Sequence, residues 1–331
     1  MKLLVTGSTG HLGEALMRTL RAAGHAVLGL DVAPSPFTDV VGSVADRGCV
    51  ARCMRGVDAV LHTATLHKPH IATHSAQEFV DTNVTGTLAL LEAAVAENVE
   101  TFIFTSTTSV FGDALGPPPG APAAWITEDT SPVPKNIYGV TKRAAEDLCE
   151  LFHRRHGLEC VILRTSRFFP EPDDRPTVRD AYDDGNAKAN EFLYRRADIE
   201  DVLSAHLLAL ERAPTLRFGR FIISATTPFS PDDVAELRTR PAEVVRRYVP
   251  AYEAEYARRG WRMFPDIERV YVNAHARAVL GWQPRYDFGA IVQRLIANED
   301  WRSPLCRTIG VKGYHADRYR DGLYPTAVRH S

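Results

Sequence analysis

Two side chains four residues apart, Tyr138 and Lys142 in the run Tyr138-Gly139-Val140-Thr141-Lys142, could do acid–base chemistry. On a helix, positions i and i+4 share a face, so a phenol and an ammonium can point into one site. A nearby positive charge lowers a tyrosine pKa and makes a phenolate base available near neutral pH. By itself the spacing also fits an exposed helix pair. Here it follows residues 102–112, an apolar run leading into Thr105, Ser106, Thr107, Thr108 and Ser109. Near the start, Gly7-Ser8-Thr9-Gly10-His11-Leu12-Gly13 is a GxxGxxG run. Its glycines let a backbone approach a pyrophosphate, and a helix opening there aims free N–H groups at the anion. Asp31 lies 18 residues after Gly13. A carboxylate in that place accepts hydrogen bonds from both adenosine-ribose hydroxyls and repels a 2′-phosphate, which favours NAD over NADP.

Those groups need elements to hold them. Residues 3–6 read as a strand and 12–23 as a helix ending at Gly24. Residues 26–30, 59–62 and 101–105 are further strand-like runs, and 79–97 carries Leu and Ala at helical spacing. Short apolar runs alternating with helices predict a parallel sheet covered on both faces. Right-handed crossovers make that sheet doubly wound. Residues 113–134 contain Gly116-Pro117-Pro118-Pro119-Gly120-Ala121-Pro122 and predict a long loop of the functional kind. A long helix over 138–156 and a strand over 160–164 follow. The proline-bearing, acidic stretch 170–176 departs from the alternation. Residues 199–212 predict a helix, and 220–225 a late strand returning to the sheet. From Pro228 onward the pattern is mostly helical and irregular, and no internal repeat is visible.

Composition narrows the class. The chain has 331 residues, 45% of them hydrophobic and 24% charged, which is ordinary globular usage. Lys plus Arg number 39 and Asp plus Glu 41, a formal net charge of −2. That excludes a strongly basic nucleic-acid binder, and no nucleic-acid partner is expected. No apolar stretch reaches the roughly 20 residues that span a bilayer, so no membrane partner is expected either. The first residues lead straight from Lys2 into a strand-like run and a glycine turn, which predicts no signal peptide. Five cysteines without paired CxxC spacing argue against disulfides or structural zinc and fit a reduced cytoplasm.

In order and spacing these motifs resemble the NAD-dependent epimerase/dehydratase family of extended short-chain dehydrogenases/reductases. The likeness rests on GxxGxxG at 7–13, Asp31, His62-Thr63-Ala64, Asn83-Val84-Thr85-Gly86-Thr87, the hydroxyl-rich turn and YxxxK. Ala197-Asp198-Ile199-Glu200-Asp201-Val202 and Leu280-Gly281-Trp282-Gln283-Pro284 resemble later family segments. The resemblance implies an α/β fold: a doubly wound Rossmann sheet with a smaller, mostly helical C-terminal substrate domain. The division predicted is 1–169 plus about 198–227 for NAD, and about 170–197 plus 228–331 for substrate. The resemblance implies NAD held by Gly7, Thr9, Gly10, His11, Leu12, Gly13, Asp31, Ser43, Val44, His62, Thr63, Ala64, Asn83, Tyr138 and Lys142. Tyr138 becomes the catalytic base and acid, and Lys142 bonds the nicotinamide ribose and lowers the Tyr138 pKa. Thr107, counted back from Val110-Phe111-Gly112, takes the family's Ser/Thr place and bonds the reacting oxygen. Asn83 lies under the cofactor, with simple helix packing as the other reading of its place.

Three departures bear on substrate. Ser43 stands where relatives often have Asp near the adenine amine, and a hydroxyl makes the weaker, neutral bond there. Thr108 and Ser109 stand where sugar-nucleotide dehydratases carry Asp-Glu, which disfavours water elimination. Arg167 stands where sugar-nucleotide epimerases usually have Asn. The candidates for substrate contact are His67, Lys68, Ser109, Arg167, Arg195 and Arg196. His67, His70 and His74 have the chemistry of metal ligands, but the family's reaction needs no metal, so a substrate-contacting or solvated loop is expected. Arg195 and Arg196 fit either a diphosphate contact or a surface pair. Arg164, Arg167, Arg175 and Arg179 add cationic character and predict an anionic small-molecule substrate, which Asp173 and Asp174 oppose locally.

The resemblance implies an NAD-dependent epimerase of a nucleotide-activated sugar, acting by transient oxidation to a keto intermediate and return of the hydride to its other face. The alternative with the same residues is an NAD-dependent dehydrogenase or reductase whose cofactor exchanges each turnover. A non-catalytic NAD sensor would not need Thr107, Tyr138 and Lys142 together. Relatives commonly dimerise through a four-helix bundle, for which 79–97 and 138–156 are the candidate helices, so a homodimer is expected. The tail 314–331, rich in Tyr and Arg, has no reading.

Overall fold

The computed structural model describes residues 1–313. Apolar runs buried on both faces become strands, and amphipathic segments become the helices covering them. In chain order, β1 is Lys2–Thr6, α1 His11–Ala22, β2 Ala26–Asp31, β3 Val40–Val41, α2 Arg47–Met54 and β4 Ala59–His62. Then come α3 Ala76–Val80, α4 Gly86–Ala96, β5 Thr101–Thr107, β6 Ala124–Ile126, α5 Ile137–His156 and β7 Glu159–Thr165. The remainder is α6 Pro176–Ala181, α7 Asp184–Glu191, α8 Ile199–Leu216, β8 Phe218–Ile223, α9 Pro241–Tyr248 and α10 Tyr252–Arg259, followed by β9 Arg269–Tyr271, α11 Phe288–Ile296 and α12 Pro304–Ile309.

The main sheet has seven strands in the order β3-β2-β1-β4-β5-β7-β8. β1 lies at the point where the order reverses. It pairs in parallel with β2 on one side and β4 on the other, Leu4 standing opposite Leu28 and Val60. In such sheets ligands bind beyond the carboxyl ends of the strands at this switch point. The Gly7–Gly13 turn therefore emerges where a dinucleotide site is expected.

Contacts divide the chain into two units. Among the described residues the first comprises 1–110, 134–164 and 203–221, the second 111–133, 165–202 and 222–313. In the first, Leu4, Leu30, Val60, Leu90, Phe102, Phe104 and Ile162 belong to one buried cluster. In the second, Phe192, Leu193, Val244, Tyr256, Phe288 and Ile291 belong to another. The segment 111–133 falls in the second unit, whereas the sequence division keeps it with 1–169. Backbone pairing explains the difference: β6 pairs with β9, Trp125 opposite Val270. The stretch expected as a continuous loop thus holds a strand.

The helix expected over 79–97 is present from Ala76 to Ala96, and Asp81–Thr85 form a π turn within it, between α3 and α4, a local widening often found at functional sites. α5 matches its expectation closely because both ends are marked. Asn136 caps it by accepting the Gly139 N–H at 3.0 Å, and Gly157 ends it at φ 73°. The short β3 and the helix α2 carried no signal that the sequence reading used. Among the described residues no helix is long and apolar enough to cross a membrane.

Candidate active site

The glycine turn is built for close passage. Gly7 has φ +72°, and an added Cβ would lie 2.7 Å from the Ala64 nitrogen. At Gly13 it would lie 1.9 Å from the Gly7 carbonyl oxygen. Only glycine leaves the backbone bare at both places, which is the cradle a pyrophosphate needs. α1 begins at His11 immediately beyond, with His11 and Leu12 buried. Asp31, at the end of β2, faces the turn: Thr9 gives it both its N–H (2.9 Å) and its hydroxyl (2.7 Å). Its other oxygen accepts the Ala33 N–H at 3.0 Å. The Ser43 hydroxyl accepts the Ala45 N–H at 3.1 Å. Val44 is buried so tightly on Gly86 that a Cβ there would meet its methyl at 2.6 Å.

His62 is buried at the end of β4. The Thr87 hydroxyl donates to the Asn83 carbonyl at 2.7 Å, so it accepts from His62 Nε2 at 3.0 Å. Nδ1 then accepts the Thr6 hydroxyl at 2.7 Å. Burial, and then the Lys142 charge, hold this histidine well below its ordinary pKa. Its ring is a neutral core group with both nitrogens engaged. A ring at the carboxyl end of a fully buried β4 had nowhere to go but inward. Thr63, by contrast, is partly exposed and anchored by its hydroxyl on the Thr6 carbonyl at 2.7 Å.

Asn83 sits in the π turn, buried and saturated. Its Oδ1 accepts from the Leu66 N–H (2.9 Å) and the Thr65 hydroxyl (3.0 Å). Its Nδ2 donates to the Leu66 carbonyl (2.9 Å) and Thr141 Oγ1 (3.0 Å). It ties the loop after β4 to α5. That loop brings the His67 ring edge-on to Tyr138, centroids 6.5 Å apart. The rings of His67 and His70, and of His70 and His74, also meet edge-on. Lys68 opens a one-turn 3-10 segment beside them. Among the described residues no group of three or more His, Cys, Asp or Glu is placed to hold a metal.

Tyr138 lies in the first turn of α5, 9% exposed, and Thr107 ends β5. Thr107 Oγ1 accepts the Ser109 N–H at 3.1 Å. Burial pushes Tyr138 up to about 12, against an opposing pull from the Thr107 side chain. Lys142 Nζ donates to the Thr105 carbonyl at 2.7 Å and stands 4.0 Å from the centre of the Phe104 ring. Burial pulls it down to about 7, while Cys149 and Glu146 favour its charged form. The sequence reading had the ammonium depress the phenol. Here burial dominates both groups, and the pull on the phenol comes from Thr107, because the ammonium is directed at a carbonyl and a ring.

One residue was missed. Glu146, a turn beyond Lys142, is fully buried and accepts from Ser106 Oγ at 2.5 Å and from Arg164 Nε and Nη2 at 3.0 and 2.7 Å. The signal was present: a charge four residues after Lys142 on the face that the YxxxK motif turns inward.

The arginines of the second unit meet carboxylates of the protein. Arg167 pairs with Asp173 at 2.8 Å and Glu191 at 3.5 Å. Arg195 pairs with Glu191 at 2.6 Å and Asp173 at 3.3 Å, and Arg196 with Glu191 at 2.7 Å. Burial alone would raise Glu191, but Arg195, Arg196 and Arg167 outweigh it and hold the carboxylate far below its ordinary value. Arg175 also meets Asp173, Arg179 donates to its carbonyl, and Arg164 lies in the first unit's core on Glu146. A buried guanidinium needs a compensating carboxylate. Arg167, Arg195 and Arg196 are accordingly compensated within the protein. Phe168, Trp261, Trp301 and Lys188 are among the residues lining a cavity of about 740 Å³ in this unit. The two later motif segments meet, Asp201 accepting the backbone N–H groups of Arg285 and Tyr286, both at 2.9 Å.

A bare glycine cradle at the switch point, an acid at the end of β2 and a Thr–Tyr–Lys set define a dinucleotide-dependent short-chain dehydrogenase/reductase. The model of the NAD dependent epimerase/dehydratase family matches residues 3–220. The chain belongs to that family, whose name carries its cofactor, NAD. It is 26% identical over 322 residues to the UDP-glucose 4-epimerase of Lactobacillus helveticus, covering 87% of this chain and 93% of that protein. It is 30% identical over 184 residues to the uronate dehydrogenase of Pseudomonas syringae pv. tomato, covering 53% of this chain and 62% of that one. The chain spans 39% and 60% of the length of two further curated relatives that it matches. A solved short-chain dehydrogenase/reductase superfamily protein from Agrobacterium tumefaciens with bound NAD is 26% identical, at a TM-score of 0.66, covering 90% of this chain and 95% of that one.

Proposed function

We propose that the protein is an NAD-dependent sugar epimerase acting on a nucleotide-activated sugar. The observation that carries this reading is the glycine cradle with Asp31 at the end of β2, in the same unit as the buried Thr107, Tyr138 and Lys142. The bare backbone at Gly7 and Gly13 fits a pyrophosphate, and Asp31 and Thr9 fit an adenosine ribose. Bound NAD would supply reversible hydride acceptance. Tyr138 takes the proton of the substrate hydroxyl and later gives it back, and Thr107 holds the oxygen on which charge develops. Lys142 supplies positive charge on the same helix face. Thr108 and Ser109 bring no carboxylic acid for water elimination, which favours epimerisation over dehydration. The curated UDP-glucose 4-epimerase matched over most of both chains supports the same reading.

A second reading, an NAD-dependent dehydrogenase or reductase, is favoured by one observation. Arg167, Arg195 and Arg196 are matched by Glu191, Asp173 and Asp174, so they do not form the cationic clamp a diphosphate would want. The uronate dehydrogenase relative points the same way.

The deciding experiment denatures freshly purified protein and measures the nucleotide released. Near-stoichiometric NAD supports the epimerase, because a cofactor restored within each turnover has no reason to leave. Little NAD with exchangeable binding moves the reading to the dehydrogenase, and release of NADP overturns the role given to Asp31.

The reading includes a homodimer. Val140 on α5 is 49% exposed, and Leu88, Val95 and Leu148 are only partly buried. Light scattering after size-exclusion chromatography checks it. It also includes the cytoplasm, which the five unpaired thiols support.

A further inference from the structure

Strand β5 supplies the atom on which Lys142 rests, the Thr105 carbonyl at 2.7 Å, and ends at Thr107. Ser106 lies between those two residues. Its hydroxyl donates to Glu146 Oε1 at 2.5 Å. Glu146 belongs to α5, one turn past Lys142 and two past Tyr138. The same carboxylate receives Arg164 of β7 through Nε at 3.0 Å and Nη2 at 2.7 Å. Arg143 at 3.5 Å and Arg220 at 3.7 Å stand outside that pair. A charge at zero exposure has a fixed place, because any shift that breaks its bonds leaves it buried and uncompensated. One side chain thus joins the helix carrying Tyr138 and Lys142 to the strand carrying the Thr105 carbonyl and to β7.

We propose that Glu146 is a positioning residue: through Ser106 it fixes β5 against α5, so that the Thr105 carbonyl stays on Lys142. It acts through Ser106 and Arg164. The inference rests on the reading of Tyr138 as the acid–base group, but its test needs no substrate.

The groups facing Lys142 are Glu146 and Cys149 on α5, His62 at the end of β4, and the Thr105 carbonyl and Phe104 ring of β5. Loosening β5 should therefore weaken the hold of the Thr105 carbonyl on the ammonium. The full chain, labelled with carbon-13 at the lysine ε position, is followed by NMR. The Lys142 signal is assigned by its loss in Lys142→Met. Ser106→Ala removes the link to β5 and leaves the Glu146–Arg164 pair intact. Its expected effect is a downward move of the Lys142 titration midpoint by about half to one pH unit, the worth of one hydrogen bond to the charged form. Ser106→Thr restores the wild-type midpoint. A Lys142 midpoint unchanged in Ser106→Ala overturns the proposal. So does a shift that Ser106→Thr fails to restore, since that marks a general loosening. Should Ser106→Ala not fold, Ser106→Cys, which keeps the volume and weakens the bond, is read by the same criteria. An inactive or NAD-free protein would count against the proposed function and leave this measurement standing.

Discussion

Two charged regions, one in each unit, look alike in sequence and differ in structure. In the first, Lys142 meets a neutral carbonyl and an aromatic face. Those partners satisfy its hydrogens without cancelling its charge. In the second, Arg167, Arg195 and Arg196 meet Glu191, Asp173 and Asp174. Those partners cancel the charge. The contacts of the lysine carry no opposite charge, whereas the arginines are tied to carboxylates of the fold. Counting cations along the chain does not separate these cases. What separates them is the sign of the groups that folding brings up to each one.

The largest expected effect tests the first region. Tyr138→Phe removes the acid–base group and should lower turnover by about a hundredfold to ten-thousandfold, with bound NAD little changed. Steady-state kinetics together with nucleotide release check this, and turnover near wild type would break the account. The next tests the second region. Glu191→Gln leaves buried guanidiniums unmatched and should cost about 3–5 kcal/mol of stability. Urea unfolding measures it, and a loss well under 1 kcal/mol would mean that the arginines are not held by Glu191.

Gly13→Ala places a methyl on the Gly7 carbonyl and should cost about 1–3 kcal/mol or more, with NAD lost on gel filtration. An alanine variant of full stability and full NAD content would remove the argument for a bare cradle. The smallest effect is a pH slope. Lys142 ordinarily has a pKa of 10.5 and stands at about 7 in the fold. Across that window the unfolded chain holds the extra proton, so stability should rise as pH climbs from about 7 toward 10.5. Lys142→Met should flatten that rise, as unfolding at two pH values would detect.

Much of the first unit was legible in sequence because its signals are local. GxxGxxG, an acid at the end of the next strand and YxxxK each work within one turn or one strand, where spacing along the chain is spacing in space. The sequence alone accordingly determined the sheet, its glycine turn, the bounds of α5 and the pairing of Tyr138 with Lys142 on one face. Other properties depended on residues far apart in the chain. His62 became a neutral core group because Thr6 and Thr87 meet its two nitrogens. Residues 111–133 joined the second unit because β6 found β9 some 140 residues later. Glu146 acquired its role from Ser106 and Arg164 on two strands. Tyr138 stands high and Lys142 low because both are buried. Hydrogen bonds, ion pairs and desolvation act over a few ångströms. Only the tertiary structure decides which distant residues come within that reach.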